Sequence, residues 1–108
     1  LYQYQFVNPW MALNQTNHKA YLQMTKEEQQ EKLQKVLINN MISFFKAVGH
    51  HEKQQMMVTL QVQPPQYSHF KDQKLLTFMG GFFTNVRLPD YIGVGKSVSR
   101  GFGTIKKV

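Results

Sequence analysis

Cysteine is absent from the 108 residues of this chain. Its absence excludes a disulfide framework, a thiolate zinc site, an iron–sulfur cluster and a cysteine nucleophile. No segment of the printed sequence has the pattern of a signal peptide, and no apolar run approaches the roughly 18 residues that a membrane helix needs. We therefore expect one intracellular domain, because a chain of this size buries roughly 65% of its unfolded surface. Since the sequence begins at Leu1 and enters a strand-like segment at once, we also expect a piece of a longer protein.

Acidic residues are scarce, since six Asp and Glu stand against thirteen Lys and Arg and give a net charge of +7. Seven of the thirteen basic residues but only two of the six acids fall in residues 71–108. Such a basic segment favours a polyanion as partner, with nucleic acid first and an anionic membrane surface second. A basic domain with no polyanion partner stays as the alternative.

Aromatic and polar residues alternate over residues 2–7, which predicts a strand that Pro9 ends. The rings of Tyr2, Tyr4 and Phe6 share one face of this strand. They could stack on RNA bases from an open sheet, or they could pack against a helix. We favour the core, because one face of the strand must pack against the long helix that follows.

Two helices are predicted next, a short one over residues 14–24 and a long one over residues 26–48. Thr25 and Glu28 have the spacing of a capping box at the start of the long helix. Gly49 is placed to end it. An apolar stripe recurs at three- and four-residue steps and consists of Leu33, Val36, Leu37, Met41, Phe44 and Val48.

The remaining pattern predicts a strand over 56–62, a polar connection over 66–74, a strand over 75–86, a helical turn over 88–92 and a strand over 102–108. Gly80 and Gly81 interrupt the second of these strands and suggest a bulge or a close backbone approach. This order predicts an α+β, ferredoxin-like βαββαβ fold. Its four-stranded antiparallel sheet would carry helices on one face, and its second helix would be short.

The stretch from Gly93 to Gly103 contains four glycines, whose backbone can adopt positive φ and approach a ligand closely. Successive amides in such a loop can converge on a phosphate. Cations and hydroxyls lie between the glycines, and two lysines follow. The candidate nucleic-acid-binding residues are Gly93, Gly95, Lys96, Ser97, Ser99, Arg100, Gly101, Phe102, Gly103, Lys106 and Lys107. A glycine-rich turn that merely packs on the sheet is the alternative.

Gly95-Lys96-Ser97 resembles the end of a nucleotide-binding phosphate loop, but that motif needs a glycine where Asp90 stands. It also needs a preceding strand and a long following helix. No parallel βαβ unit surrounds the loop, which argues against dinucleotide binding. We therefore expect neither a nucleotide nor any other cofactor.

The four histidines give little sign of a metal site, since no two are four residues apart on a helix. His50 and His51 follow the helix-ending Gly49 and are expected in an exposed turn. His18 could act as a general base, because its ordinary pKa is near neutrality. A solvated surface histidine is the competing interpretation.

The spacing of Gly93, Gly95, Gly101, Phe102 and Gly103 resembles the C-terminal glycine-rich loop of the RAMP superfamily of CRISPR-associated proteins. Within it the chain is most similar to the b-type C-terminal domain of the repeat-processing endoribonuclease, the "Cas six" family. The other segments that support the resemblance occur in the same order and are residues 8–15, 37–40 and 84–90.

The resemblance implies an RNA-binding domain, normally the second of two, in a cytoplasmic enzyme that cuts the CRISPR transcript within each repeat. That family acts without metal, activating a 2′-hydroxyl that attacks the adjacent phosphate and leaves a cyclic phosphate and a 5′-hydroxyl. The family's loop lies near the RNA, and its catalytic histidine usually belongs to the first domain. No catalytic residue is therefore assigned beyond the candidate His18.

Two other functions stay open at the level of the sequence. One is a non-catalytic RAMP-type subunit that coats guide RNA among the other subunits of a CRISPR effector complex. The other is a protein-interaction domain whose basic loop is incidental. Failure to bind RNA at low salt would favour the last.

Overall fold

A computed structural model describes residues 1–70 and 73–108 of the chain. The strands are β1 (Tyr2–Phe6), β2 (Val58–Val62), β3 (Gln66–Phe70), β4 (Gln73–Thr77), β5 (Gly80–Thr84) and β6 (Ile105–Lys107). The helices are α1 (Gln15–Leu22) and α2 (Lys26–Ala47), and one turn of 3-10 helix covers Val98–Arg100. Among the helices of these described residues, none combines the length and apolar character needed to cross a membrane.

Four strands form one antiparallel sheet in the order β2-β5-β1-β6. The helix α2 lies on one face of this sheet, where its apolar stripe meets the inward side chains of the strands. The shared core includes Leu33, Leu37 and Met41 of α2 with Tyr4, Leu60, Phe82 and Ile105 of the sheet. This arrangement confirms the predicted α+β, ferredoxin-like class.

The aromatic face of β1 belongs to the core, as predicted. Tyr4 and Phe6 are buried, and Tyr2 is half-buried at the edge of the same cluster. The ring of Phe6 stacks on that of Trp10 with centroids 5.1 Å apart. The indole N–H of Trp10 in turn donates to Oδ1 of Asn40 on α2 at 3.1 Å. The rings of Tyr4 and Phe6 are therefore not available for RNA bases.

The long helix begins at the predicted Lys26 and ends at Ala47, one residue before the predicted end. Thr25 and Glu28 form the predicted capping box, since each backbone N–H donates to the other's side chain. Gly49 follows the helix with a φ of +73°. Val48, which the pattern assigns to the apolar stripe, is 59% exposed because the helix has already ended at Ala47. Phe45 occupies the buried position instead.

The predicted polar connection over residues 66–74 is wrong, because β3 and the start of β4 form a hairpin there. Lys71 and Asp72, which belong to that prediction, lie outside the described residues. The β3–β4 pair continues the β2–β5 pair, with its register shifted by one residue. Gln63 N–H donates to Met79 O, whereas Gln66 lies opposite Thr77. Two prolines at 64 and 65 lack the N–H groups that a continuous ladder needs.

The same shift divides the strand predicted over 75–86 into β4 and β5. The close approach predicted at the glycine pair is present. Gly80 has a φ of +124°, and a Cβ there would overlap the carbonyl oxygen of Gln61 on the neighbouring strand. Glycine is required at this position because both the backbone conformation and the contact exclude a side chain.

The predicted helical turn over 88–92 is also wrong. Pro89 lies in an irregular segment whose backbone groups bond elsewhere, since both the N–H and the carbonyl of Leu88 bond to the Tyr4 hydroxyl. The N–H of Tyr91 donates to Ile105 O at 2.7 Å. The turn that forms at residues 90–91 is not helical, because Tyr91 has a φ of +63°. In the described part of the chain, the second helix of the fold is reduced to the 3-10 turn at Val98–Arg100.

The outer edge of β2 is closed by two glutamine side chains from α2. Gln30 donates its amide N–H to Leu60 O at 2.8 Å, and Leu60 N–H donates to Gln34 Oε1 at 3.2 Å. An unpaired strand edge invites pairing with another chain. The two glutamine side chains bond to the outward-facing N–H and carbonyl of Leu60 and so protect this edge from pairing with another chain.

Candidate nucleic-acid interface

The glycine-rich loop is fixed to the body of the domain by backbone hydrogen bonds. Gly103 N–H donates to Pro9 O at 2.7 Å, and Lys96 N–H donates to Met11 O at 2.9 Å. Within the loop, Val94 N–H donates to Gly103 O at 2.9 Å, which closes its base. The loop thus has a defined shape without a ligand, supported by the segment that follows β1.

The glycines of the loop have two different roles. Gly95 has a φ of +92°, and a Cβ there would lie 2.8 Å from Met11 O and from the ring of Trp10. Gly103 has a φ of +74° and lies against the carbonyl of Val94. Gly101 has a φ of +89°, yet a Cβ would meet no atom within 4 Å. Positive φ at Gly95 and Gly101 agrees with the sequence-based expectation, but of these two only Gly101 faces open space.

The cationic part of the loop is its 3-10 turn and the residues beside it. Lys96, Ser99 and Arg100 are exposed, whereas Ser97 and Phe102 are half-buried. Ser97 has a φ of +58°, which turns the chain sharply after Lys96. The structure therefore places two cations and a hydroxyl on one short, exposed turn.

Several loop amides already have acceptors within the protein. Arg100 N–H donates to Ser97 O, Gly101 N–H donates to Val98 O, and Lys96 N–H donates to Met11 O. These three amides cannot converge on a phosphate without giving up an existing bond. The exposed side chains of Lys96 and Ser99 are consequently better placed to meet an anion than this part of the backbone.

The two lysines after the loop lie on opposite faces of β6. Lys107 pairs with Tyr4 in register, and its Nζ is 5.3 Å from the centroid of the Tyr2 ring on the helix side. Lys106 pairs with Gln5 on the other face, and its Nζ is 5.9 Å from the Tyr91 ring. They therefore do not extend one continuous basic surface.

The first turn of α1 lies between the loop and His18, a juxtaposition that the sequence does not reveal. A cavity of about 380 Å³ is lined by Lys96 and Ser97 together with residues 14–16. A second cavity of about 460 Å³ continues past Gln15 and Thr16 to His18 and Lys19. His18 is half-buried, and its Nδ1 is buried without a hydrogen-bond partner among the described residues.

Two further histidines follow the end of α2. His50 and His51 are exposed after α2, as predicted. The ring of His50 lies 3.3 Å from Glu52. Hydrogen bonds from Gln54 N–H and from His50 lower the pKa of the Glu52 carboxyl below its ordinary value. This pair borders a cavity of about 660 Å³ that Tyr2, Phe44 and Arg87 also line.

The strand order, the reduced second helix and the glycine-rich loop before the last strand define a ferredoxin-like α+β domain. Comparison with known protein families narrows this class to one family. The model of the Cas6b C-terminal domain matches residues 1–108, so the chain belongs to that family. The resemblance drawn from the loop and its accompanying segments is confirmed.

Solved structures and a curated relative agree with this assignment. A chain described as "Crystal structure of Cas6b" is 38% identical with a TM-score of 0.94, and the match covers 99% of this chain and 62% of that one. A second, "Crystal structure of CRISPR RNA processing endoribonuclease Cas6b", is 38% identical with a TM-score of 0.93, covering 99% and 54%. The uncharacterized protein MJ0978 of Methanocaldococcus jannaschii is 31% identical over 105 residues, or 97% of this chain and 71% of that protein. The chain thus spans less than two thirds of either solved chain.

Proposed function

We propose that this chain is the RNA-binding C-terminal domain of a CRISPR RNA processing endoribonuclease. In this proposal residues 1–108 form one domain of a longer cytoplasmic protein, and the glycine-rich loop holds phosphates of the repeat transcript. The observation that carries the proposal is the exposed position of Lys96 and Arg100 on a loop that backbone hydrogen bonds hold against the domain. The chain that carries this loop matches Cas6b over nearly its whole length.

The electrostatics of the loop support a phosphate contact. Lys96 and Arg100 are exposed on a turn that contains no acidic residue. An arginine guanidinium can grip a phosphate through two parallel hydrogen bonds, whereas a lysine acts as a point charge. Ser99 adds a hydroxyl between them. Because the turn is held by bonds to Pro9 and Met11, little ordering is required when RNA binds.

Cleavage would follow the course that the family resemblance implies, in which a 2′-hydroxyl attacks the adjacent phosphate without a metal ion. The group that removes the hydroxyl proton would belong to the part of the protein upstream of Leu1. Residues 1–108 would supply RNA binding and positioning. Interactions with other CRISPR effector subunits would concern the longer protein.

Filter-binding titrations of a CRISPR repeat hairpin test the loop directly. The double variant Lys96→Ala/Arg100→Ala should bind at least about tenfold more weakly at low salt. Its log–log salt dependence should be shallower by roughly 0.7 for each phosphate that the missing cations no longer neutralise. Lys35→Ala is the matched control, since this exposed lysine lies on α2 and pairs with Glu31. The control should bind like the parent protein.

The outcomes separate the candidate functions. Equal affinity of the double variant and the parent at two salt concentrations would show that the loop is a packed turn and not an RNA contact. Tight RNA binding by a longer protein that never cleaves repeats would favour the guide-RNA-coating subunit. A protein that binds no RNA at low salt would leave a protein-interaction domain.

A further inference from the structure

Asn40 interrupts the apolar side of α2. Val36 and Phe44, four residues before and after it, pack against the core, and Asn40 is half-buried between them. Asparagine is a weak helix former, and burial removes its amide from water. A polar side chain in this row therefore needs a partner. It has one in Trp10, whose indole N–H donates to Oδ1 of Asn40 at 3.1 Å.

The indole of Trp10 is fully buried and is held from several sides. Its ring lies nearly parallel to that of Phe6, with 7° between the two planes, and its centroid is 6.0 Å from that of Phe78. The backbone N–H and carbonyl of Trp10 both bond to Phe78, at 2.8 and 3.0 Å. Because an unsatisfied buried donor is costly, the ring is favoured in the orientation in which its N–H meets Asn40.

The edge of the indole that bonds to Asn40 also supports the glycine-rich loop. A Cβ on Gly95 would lie 2.8 Å from both Nε1 and Cδ1 of Trp10, and a Cβ on Gly103 would lie 3.5 Å from Cδ1. The backbone of the loop therefore rests against this edge. A rotation of the ring would displace Gly95 and, with it, the next residue along the chain, Lys96.

Three segments that are distant in the sequence meet at this indole. They are residues 8–15, residues 37–40 and the glycine-rich loop, and the resemblance described above rests partly on each of them. Backbone hydrogen bonds from the loop to Pro9 and Met11, on either side of Trp10, hold the loop at the same place. The orientation of one side chain thus couples α2 to the loop.

From these contacts we infer that Asn40 is a positioning residue for RNA binding: through the Trp10 indole it fixes the place from which Lys96 meets a phosphate. This inference rests on the proposed function, because it supposes that the loop holds RNA. It goes further by giving a residue of α2, outside the loop, a part in that binding. Asn40 is neutral, so its effect on a phosphate contact is transmitted by geometry and not by charge.

Asn40→Leu removes the acceptor and keeps a side chain of similar size. It should weaken binding of the repeat hairpin at low salt by about three- to tenfold, within the range of coupling between members of one hydrogen-bonded network. The log–log salt dependence should become shallower by about 0.7 if the Lys96 contact is lost. Asn39→Leu, at the exposed neighbouring asparagine, is the matched control and should bind like the parent.

Asn40→Asp tests whether the acceptor is what matters. A carboxylate oxygen can accept the indole N–H as the amide oxygen does. Asn39→Asp adds the same charge at the exposed neighbour and so controls for repulsion of phosphates. The two aspartate variants should bind the hairpin equally. If Asn40→Asp binds as weakly as Asn40→Leu while Asn39→Asp does not, the inference is wrong.

Trp10→Phe removes the indole N–H and keeps an aromatic ring. Alone it should weaken binding as Asn40→Leu does, so it also serves as the test if Asn40→Leu does not fold. In the Trp10→Phe background, Asn40→Leu should leave the RNA affinity unchanged, because no donor remains for Asn40 to fix. An equal loss in both backgrounds would mean that Asn40 contacts the RNA itself, and the positioning role would be refuted.

Stability and affinity together separate the remaining outcomes. An asparagine that only stabilises the fold would lower the urea midpoint on substitution and leave the affinity of the folded protein unchanged, which would overturn the inference. If Lys96→Ala/Arg100→Ala weakens binding while Asn40→Leu binds like the parent, the inference fails and the proposed function stands. If neither variant changes binding, the proposed function fails and the inference fails with it.

Discussion

The hydroxyl group of Tyr4 forms two hydrogen bonds with the backbone of Leu88, donating to its carbonyl at 2.8 Å and accepting from its N–H at 2.6 Å. Both residues are buried. One side chain of the central strand thus satisfies both polar groups of a residue in the segment that replaces the second helix. Without these two bonds, the N–H and the carbonyl of Leu88 would be buried with no partner.

Tyr4→Phe tests this replacement. The substitution keeps the ring but leaves the N–H and the carbonyl of Leu88 without a partner in a buried position. Since each unsatisfied buried group costs about 1–3 kcal/mol, the free energy of unfolding should fall by about 2–4 kcal/mol. Urea denaturation measures it. Tyr2→Phe is the control, because the Tyr2 hydroxyl forms neither of these bonds, and it should change stability by less than about 0.5 kcal/mol. A Tyr4→Phe variant as stable as this control would contradict the prediction.

Alkaline pH should destabilise the protein through the same hydroxyl. Burial raises the pKa of Tyr4, and the hydrogen bond to Leu88 only partly opposes it. The folded state therefore retains the phenol proton longer than the unfolded state, whose tyrosines titrate near pH 10. The stabilisation is complete below that pH and is lost as the pH rises above it. The difference in unfolding free energy between the parent and Tyr4→Phe should narrow over this interval. A constant difference from about pH 8 to 11 would refute the assignment.

Alanine at two loop glycines should separate backbone strain from packing. Gly95 and Gly101 both have positive φ, so either substitution imposes roughly 1–2 kcal/mol of strain. At Gly95 the new Cβ also meets Met11 O and the Trp10 ring, which adds about 1–3 kcal/mol. Gly95→Ala should therefore destabilise the protein by clearly more than Gly101→Ala, as measured by urea midpoints at one pH. Equal losses would mean that the loop is not packed against Trp10.

The elements that the sequence predicted well are those fixed by neighbours along the chain. The capping box of Thr25 and Glu28 and the end of α2 before Gly49 depend on groups within a few residues of each other. Alternation placed Tyr4 and Phe6 on the inner face of β1 for the same reason. Positive φ at Gly95 and Gly101 could also be predicted from the sequence, because glycine tolerates that conformation better than any other residue.

The elements that the sequence missed depend on distant partners. β3 has a largely polar sequence, and it is a strand because it pairs with β4, with Ser68 and Thr77 hydroxyls 2.9 Å apart across the pair. The backbone around Leu88 is shaped by Tyr4, which is 84 positions away. In the candidate site, the approach of Lys96 to the first turn of α1 follows from the docking of the loop on Met11. No local pattern encodes these contacts.

The last prediction concerns His18, which lines the second cavity, next to the one that Lys96 and Ser97 line. A general base must reach the proton that it removes, whereas Nδ1 of His18 is buried and has no hydrogen-bond partner among the described residues. We therefore expect His18→Ala, in a protein that includes the upstream region, to change single-turnover cleavage of repeat RNA by less than about tenfold. Loss of a true general base costs about 10²–10⁴-fold. His51→Ala, at an exposed histidine after α2, is the control. Residues 1–108 alone should not cut the repeat. A hundredfold loss for His18→Ala with unchanged folding and RNA affinity would instead identify His18 as the base, and would place the catalytic centre at the second cavity, which His18 lines with Gln15, Thr16 and Lys19.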